Sequence, residues 1–184
     1  PVVEYEMLKL AAKSAEEIKS ELSSFGAAAI LLRAKVKYGV EVYRLKYKSA
    51  ELDSLSGVVM IPIGVSAPSI ISFQHGTVVA QEDVSSVAWE KGEGIMQMFL
   101  ASNGFVISAA DYLGLGVSQG MHSFVIESPL ADAVVGNLAR AVDFLERENV
   151  SYSQNLFLLG YSEGGYATMA AQKKLEENGV ADLN

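Results

Sequence analysis

The stretch NLFLLGYSEGGYATMAAQKKL, residues 155–175, decides the fold. A short apolar run ends at Leu159, a Gly-Tyr-Ser-Glu-Gly turn follows, and an Ala-rich helical segment begins almost at once. Gly160 and Gly164 flank the turn where side chains would collide, and Gly165 is expected to let the new helix approach the sheet closely. A strand, a sharp turn and a helix in this order hold a serine hydroxyl above the carboxyl edge of a sheet, with a helix N-terminus beneath it. Ser162 is therefore the candidate nucleophile; the plain alternative is a serine in an ordinary Gly/Ser loop.

The same texture runs upstream. SIISF (69–73) and GFVISA (104–109) are, like NLFLLG, continuous apolar runs rather than alternating ones, as expected of parallel strands buried on both faces. Helical segments are predicted between them, at about 89–102 and at 128–148. In the second, Pro129 suits the first turn, and Leu130, Val134, Leu138, Val142 and Leu145 form one apolar face. Strands alternating with helices imply βαβ crossovers and an α/β layer architecture with a mostly parallel sheet. Earlier, VKYGVEVYRLKYKS and SGVVMIPI (56–63) read as a pair of strands, with Asp53-Ser54 and Ser56-Gly57 supplying turn chemistry between them. Residues 5–25 place Met7, Leu10, Ala11, Ile18, Leu22 and Phe25 at helical spacing, which predicts an amphipathic helix outside the sheet. No internal repeat or linker-like break divides the chain, so one domain is expected.

Composition narrows the function. Half of the 184 residues are apolar and a fifth are charged, which suits a globular protein with a substantial core. A net charge of −8 argues against nucleic acid as the main partner. With no cysteine there is no disulfide, thiol nucleophile or thiolate-held metal. Two histidines far apart make a poor metal site, and GLGVSQG follows no ribose-binding acidic residue at suitable spacing, so no cofactor is expected. No run approaches the length of about 18 apolar residues that spans a membrane, and no signal peptide is visible. The sequence begins at Pro1 rather than Met, which is compatible with a removed leader and with a secreted or periplasmic location.

SIISFQHGTV (69–78) adds a second functional feature, a buried-type strand followed by His75, Gly76 and Thr77. An α/β-hydrolase keeps half of its oxyanion hole in such a loop, so the backbone N–H groups of Thr77 and Glu163 are the expected donors. His75 is a poor candidate for the general base, because the hydrolase order places that histidine after the serine. Taken together, YRLKYKSAELDSLSGVVMIPIG, SFQHGT, DYLGLGVSQGMHSF (111–124) and GYSEGGYA (160–167) resemble the α/β-hydrolase superfamily, and within it the lipase and esterase group that includes the secretory lipases. The resemblance spans most of residues 40–170 and corresponds to the N-terminal part of one hydrolase domain. Within that domain the sequence pattern predicts an N-terminal helical segment (1–30), early strands (36–63) and a βαβ core with the nucleophile elbow (69–178).

The resemblance implies that Asp111 and Tyr112 shape the carboxyl edge and the pocket, with His75, Gly76 and Tyr161 beside them. The competing assignment makes Asp111 a turn cap and Tyr112 core. His122 reads as an ordinary loop histidine near the pocket rim. The superfamily also requires an acid and then a histidine after the serine, yet the 22 residues after Ser162 contain no histidine. Glu163, Glu176, Glu177 and Asp182 are unconvincing as the triad acid. The expectation is a serine esterase or lipase acting on a small-molecule or lipid ester. Its remaining triad members would lie on sequence outside this chain, in a second chain or a swapped copy. A serine peptidase or amidase of the same fold, and a hydrolase-fold module without catalysis, are the alternatives.

Overall fold

The computed structural model describes residues 4–23, 28–48 and 54–179. A six-stranded mixed sheet in the order β1-β2-β3-β5-β4-β6 carries helices on both faces. The strands are β1 (Tyr5–Lys13), β2 (Val40–Lys48), β3 (Ser54–Pro62), β4 (Ser69–Gln74), β5 (Phe105–Ala110) and β6 (Leu156–Gly160). The helices are α1 (Ala15–Leu22), α2 (Ala28–Arg33), α3 (Ser85–Ala88), α4 (Gly92–Ala101), α5 (Glu127–Arg147) and α6 (Glu163–Glu177). β1, β2, β3 and β5 pair antiparallel in sequence across the sheet, whereas β4 runs parallel to both β5 and β6.

Alternation along the strands sorts side chains between two apolar layers. Leu45, Tyr47, Leu55 and Val59 meet Leu130, Val134, Leu138 and Leu145 of α5 and Ala167, Ala171 and Leu175 of α6. On the opposite face Val40, Val42, Val58 and Met60 meet Ile18 and Leu22 of α1 and Met98 and Ala101 of α4. α4, between β4 and β5, therefore lies on one face and α6, after β6, on the other. Two neighbouring parallel strands that send their chains to opposite faces open a crevice at their carboxyl ends, where open α/β sheets bind ligands.

Four local expectations need correction. Residues 5–25 do not form one helix: 5–13 are β1, paired with β2 through Tyr5↔Tyr47 and Met7↔Leu45, and only 15–22 are helical. A bulge between Lys9 and Ala11 turns Leu10 and Ala11 toward the same apolar layer, which produces helix-like spacing in a strand. The helix that does form starts with a capping box, in which Ser14 Oγ accepts from Glu17 N at 3.2 Å and Ser14 N donates to Glu17 Oε2 at 2.7 Å. Phe25 lies outside the described residues.

Ser56 and Gly57 are not turn residues but sit inside β3, and Asp53 lies outside the described residues. A methyl on Gly57 would fall 2.1 Å from Asn137 Oδ1, so this glycine admits the buried Asn137 of α5, whose Nδ2 donates to Ser108 Oγ at 2.8 Å. Nor is β6 buried on both faces: Leu156 and Leu158 pack on the α5/α6 layer, but Phe157 and Leu159 are 51% and 42% exposed. Among the described residues β6 pairs only with β4 and no helix covers its other face, so the apolar run lies at a sheet edge. Finally, Gly165 is not the point of close approach, since a methyl there would meet nothing nearer than Gly160 O at 3.8 Å. That role belongs to Gly164, described below.

Candidate functional site

Ser162 stands between β6 and α6 with φ 55° and ψ −127°. A non-glycine residue with these angles stores about 1–3 kcal/mol of strain, which persists only where the surroundings enforce it. Here the enforcement is steric. A methyl on Gly160 would lie 2.3 Å from the Gly164 carbonyl oxygen, and a methyl on Gly164 would lie 2.0 Å from the Gln74 carbonyl oxygen. The turn thus folds back on itself and presses against the end of β4. Thr168 Oγ1 sits 2.8 Å from both Gly164 O and Gln74 Oε1, joining the first turn of α6 to the same strand. Ser162 makes no side-chain capping bond to α6, and its side chain is exposed at the carboxyl edge.

The loop after β4 lies beside this elbow. His75 and Gly76 are buried and Thr77 is exposed. Gly76 N donates to Glu93 Oε1 at 3.0 Å, which ties the loop to the first turn of α4. Tyr161 reaches over Gly76, where a methyl would meet its ring at 3.1 Å. Its hydroxyl also bonds the Glu93 carboxylate, which raises the phenol pKa. Beneath Thr77 opens a cavity of about 370 Å³, lined among others by Val78, Val84, Ala88 and Glu93.

Behind the loop, Asp111 and Tyr112 at the end of β5 take different parts. Asp111 is 1% exposed, and its carboxylate accepts from Ser56 Oγ at 2.6 Å and from Ser86 N at 3.3 Å. Burial raises its pKa above the ordinary carboxylate value, against the lowering effect of these two donors. It holds β3, α3 and the loop after β5 together. Tyr112 is wholly buried at φ 71°; its ring stacks on His75 at 4.1 Å and its hydroxyl donates to His75 O at 3.1 Å. Burial pushes its phenol pKa well up, so the hydroxyl stays a donor.

His122 was the residue whose placement differs most from its sequence reading. It lies against the elbow, with Nε2 2.6 Å from Glu163 Oε1 and Nδ1 3.1 Å from Leu113 O. The Glu163 side chain has no exposed surface. The sequence held one signal for this pair: a carboxylate directly after the elbow serine enters the layer beneath the sheet edge, where a charged group requires a partner. Glu93 escaped the sequence reading altogether.

No family model and no curated protein matches the chain. Solved structures do. A Legionella pneumophila protein assigned as a hydrolase superposes with a TM-score of 0.84 at 29% identity, over 97% of this chain and 49% of its own. The rice cell wall degrading esterase LipA from Xanthomonas oryzae, in a ligand-bound form, follows with a TM-score of 0.77 at 26% identity, over 96% and 46%. Esterase Est22, at 16% identity and a TM-score of 0.59, shares the fold alone, over 93% and 53%. The chain spans about half the length of each of these structures, and across that half it has the α/β-hydrolase fold that they share.

Proposed function

We propose that this chain is the nucleophile-bearing portion of a serine esterase. The observation that carries the proposal is Ser162 itself, held at φ 55° and ψ −127° with its side chain exposed at the carboxyl edge. In this reading Ser162 Oγ attacks the carbonyl carbon of a carboxylic ester. The Thr77 and Glu163 amides receive the oxyanion, and each such donor contributes about 3–4 kcal/mol of transition-state stabilisation. The tetrahedral intermediate collapses with loss of the alcohol, which departs with a proton from the general acid. Water then hydrolyses the acyl-enzyme by the reverse use of the same groups.

The base and its orienting acid come from sequence outside these 184 residues. Two observations support that assignment. No histidine follows Ser162 in the chain. Each ring nitrogen of both histidines faces a protein oxygen rather than Ser162: His75 faces Gly76 O at 2.7 Å and Asp111 O at 3.2 Å, and His122 faces Leu113 O and Glu163. Among the described residues the outer edge of β6 carries no pairing strand, and it offers a pairing site for a strand of the remainder.

The test is intact-mass spectrometry of the complete protein, chain plus remainder, before and after a fluorophosphonate probe, together with turnover of p-nitrophenyl esters and the corresponding anilides. One adduct on Ser162, absent from Ser162→Ala, with ester turnover above anilide turnover, is the expected result. A Ser162→Ala protein that keeps its ester turnover refutes the assignment, and preference for anilides makes the enzyme an amidase.

A further inference from the structure

We propose that His122 is a positioning residue for the oxyanion site: it fixes the Glu163 backbone amide by holding the Glu163 side chain in one buried place. This rests on the assignment of Ser162 as nucleophile and Glu163 N–H as an oxyanion donor.

Leu113 O is a carbonyl and can only accept, so the ring nitrogen facing it at 3.1 Å, Nδ1, carries hydrogen. The other nitrogen, Nε2, faces a carboxylate oxygen at 2.6 Å, a distance that needs one proton between the two atoms. Whether that proton sits on nitrogen or oxygen, His122 offers no lone pair toward Ser162. It is thereby unsuited to be the general base and well suited to be a clamp.

The clamp acts at a sensitive place. Glu163 is the first residue of α6, so its side chain and its unpaired N–H belong to the same residue. With the carboxylate pinned and Gly164 pressed on Gln74 O, the Ser162–Glu163 peptide is constrained from both sides. His122 is itself held. A methyl on Gly114, at φ 81°, would lie 2.4 Å from His122 N, so the loop after β5 closes tightly on the histidine backbone. Tyr112 lies nearly parallel to the His122 ring at 6.1 Å, and it also stacks on His75 and bonds its carbonyl. A continuous path therefore runs from Glu163 through His122 and Tyr112 to His75, two residues before Thr77. It links the two segments that carry the proposed oxyanion donors.

The experiment compares His122→Gln, Glu163→Ala, Glu163→Gln and the His122→Gln/Glu163→Ala pair in the complete protein. Thermal melts, fluorophosphonate labelling and kcat and KM on p-nitrophenyl butyrate are measured for each. A donor that stabilises only the transition state changes kcat and leaves KM. Expected is a fall in kcat of about tenfold to a hundredfold for His122→Gln and Glu163→Ala, with KM within about twofold. The double variant should be no worse than the poorer single variant, because both remove one interaction. Glu163→Gln should recover most of kcat, since its amide N–H can donate to the free Nε2 lone pair of a neutral His122.

A folded His122→Gln protein with wild-type kcat overturns the proposal. So does Glu163→Gln performing no better than Glu163→Ala, a result that stands even if the histidine variant does not fold. If wild-type Ser162 takes no fluorophosphonate, the assignment beneath the proposal falls with it; if Ser162 labels normally and the variants are unaffected, only the positioning role is lost.

Discussion

Two adjacent glycines at the start of α6 should respond to the same substitution with opposite signs. A methyl on Gly164 would stand 2.0 Å from Gln74 O and 2.7 Å from both Gln74 C and His75 O, all backbone atoms that cannot rotate away. Relief to ordinary contact at 3.4 Å requires the elbow and the end of β4 to part by more than 1 Å. Overpacking of this kind costs about 1–3 kcal/mol of stability, and a 1 Å displacement at a reacting centre costs about a hundredfold in rate. A methyl on Gly165 would meet only Gly160 O, at 3.8 Å, so Gly165→Ala should be neutral or gain up to about 1 kcal/mol from helix propensity. Both variants should be compared by thermal melts and by the rate of fluorophosphonate labelling of Ser162 in the complete protein. Gly164→Ala should melt lower and label far more slowly, with Gly165→Ala at or above wild type in both. Equal behaviour of the two variants would refute the claim that Gly164, through its contact with Gln74, sets the elbow geometry.

Further expectations concern the buried carboxylate at the end of β5. Ser56 Oγ donates to Asp111 Oδ2 at 2.6 Å and accepts from Val117 N at 3.0 Å, so Ser56→Ala removes one donor from a buried carboxylate and the acceptor of a half-buried N–H and should cost about 1–3 kcal/mol; an unchanged melting temperature would show that the network is dispensable. Burial places the folded-state pKa of Asp111 above its ordinary value of 3.8, so between those two values the native state holds a proton that the unfolded chain releases. Stability from this group is therefore complete below pH 3.8 and falls as pH rises through the folded-state value. Melts of wild type and Asp111→Asn across that range should show wild type losing ground to the variant with rising pH, and a constant difference would mean that Asp111 titrates normally.

Much of the functional half of the fold was written in local pattern. The apolar runs of β4, β5 and β6 and the single apolar face of α5 gave the alternation of strand and helix, and with it the crevice at the carboxyl edge. The elbow was legible because its glycines mark steric necessity within five residues. β1 was not legible, since Glu, Met, Leu, Lys and Ala favour helix locally and only pairing with β2 overrides that preference. Ser14 and Glu17 did carry a helix-start signal of the S-x-x-E type, which should have placed the boundary after β1. Gly57 misled for a different reason: glycine marks a turn or a close approach, and only the position of Asn137, on another element, tells which. The partnership of His122 with Glu163 joins residues 41 apart, a distance at which periodicity carries no information.

That partnership bears on how the chemistry divides along the chain. A hydrolase site needs a shaped anion pocket and a mobile proton, and these make different demands. The pocket must be rigid, so its groups are best sealed by contacts that leave no free valence, as at Tyr112 and His122, whose polar atoms face carbonyls or a carboxylate. The base must instead keep a lone pair available to the serine proton. A histidine that locks the scaffold cannot also serve as that base without releasing the lock. On the proposed reading the oxyanion geometry is therefore complete within these residues, while proton transfer is left to a group arriving from the open side, where Ser162, Tyr161, Phe157 and Leu159 remain exposed. Such a scaffold on its own would retain only the part of the rate enhancement that an oxyanion hole supplies without its triad, a residue of about 10³ to 10⁴ over water in well-studied serine hydrolases.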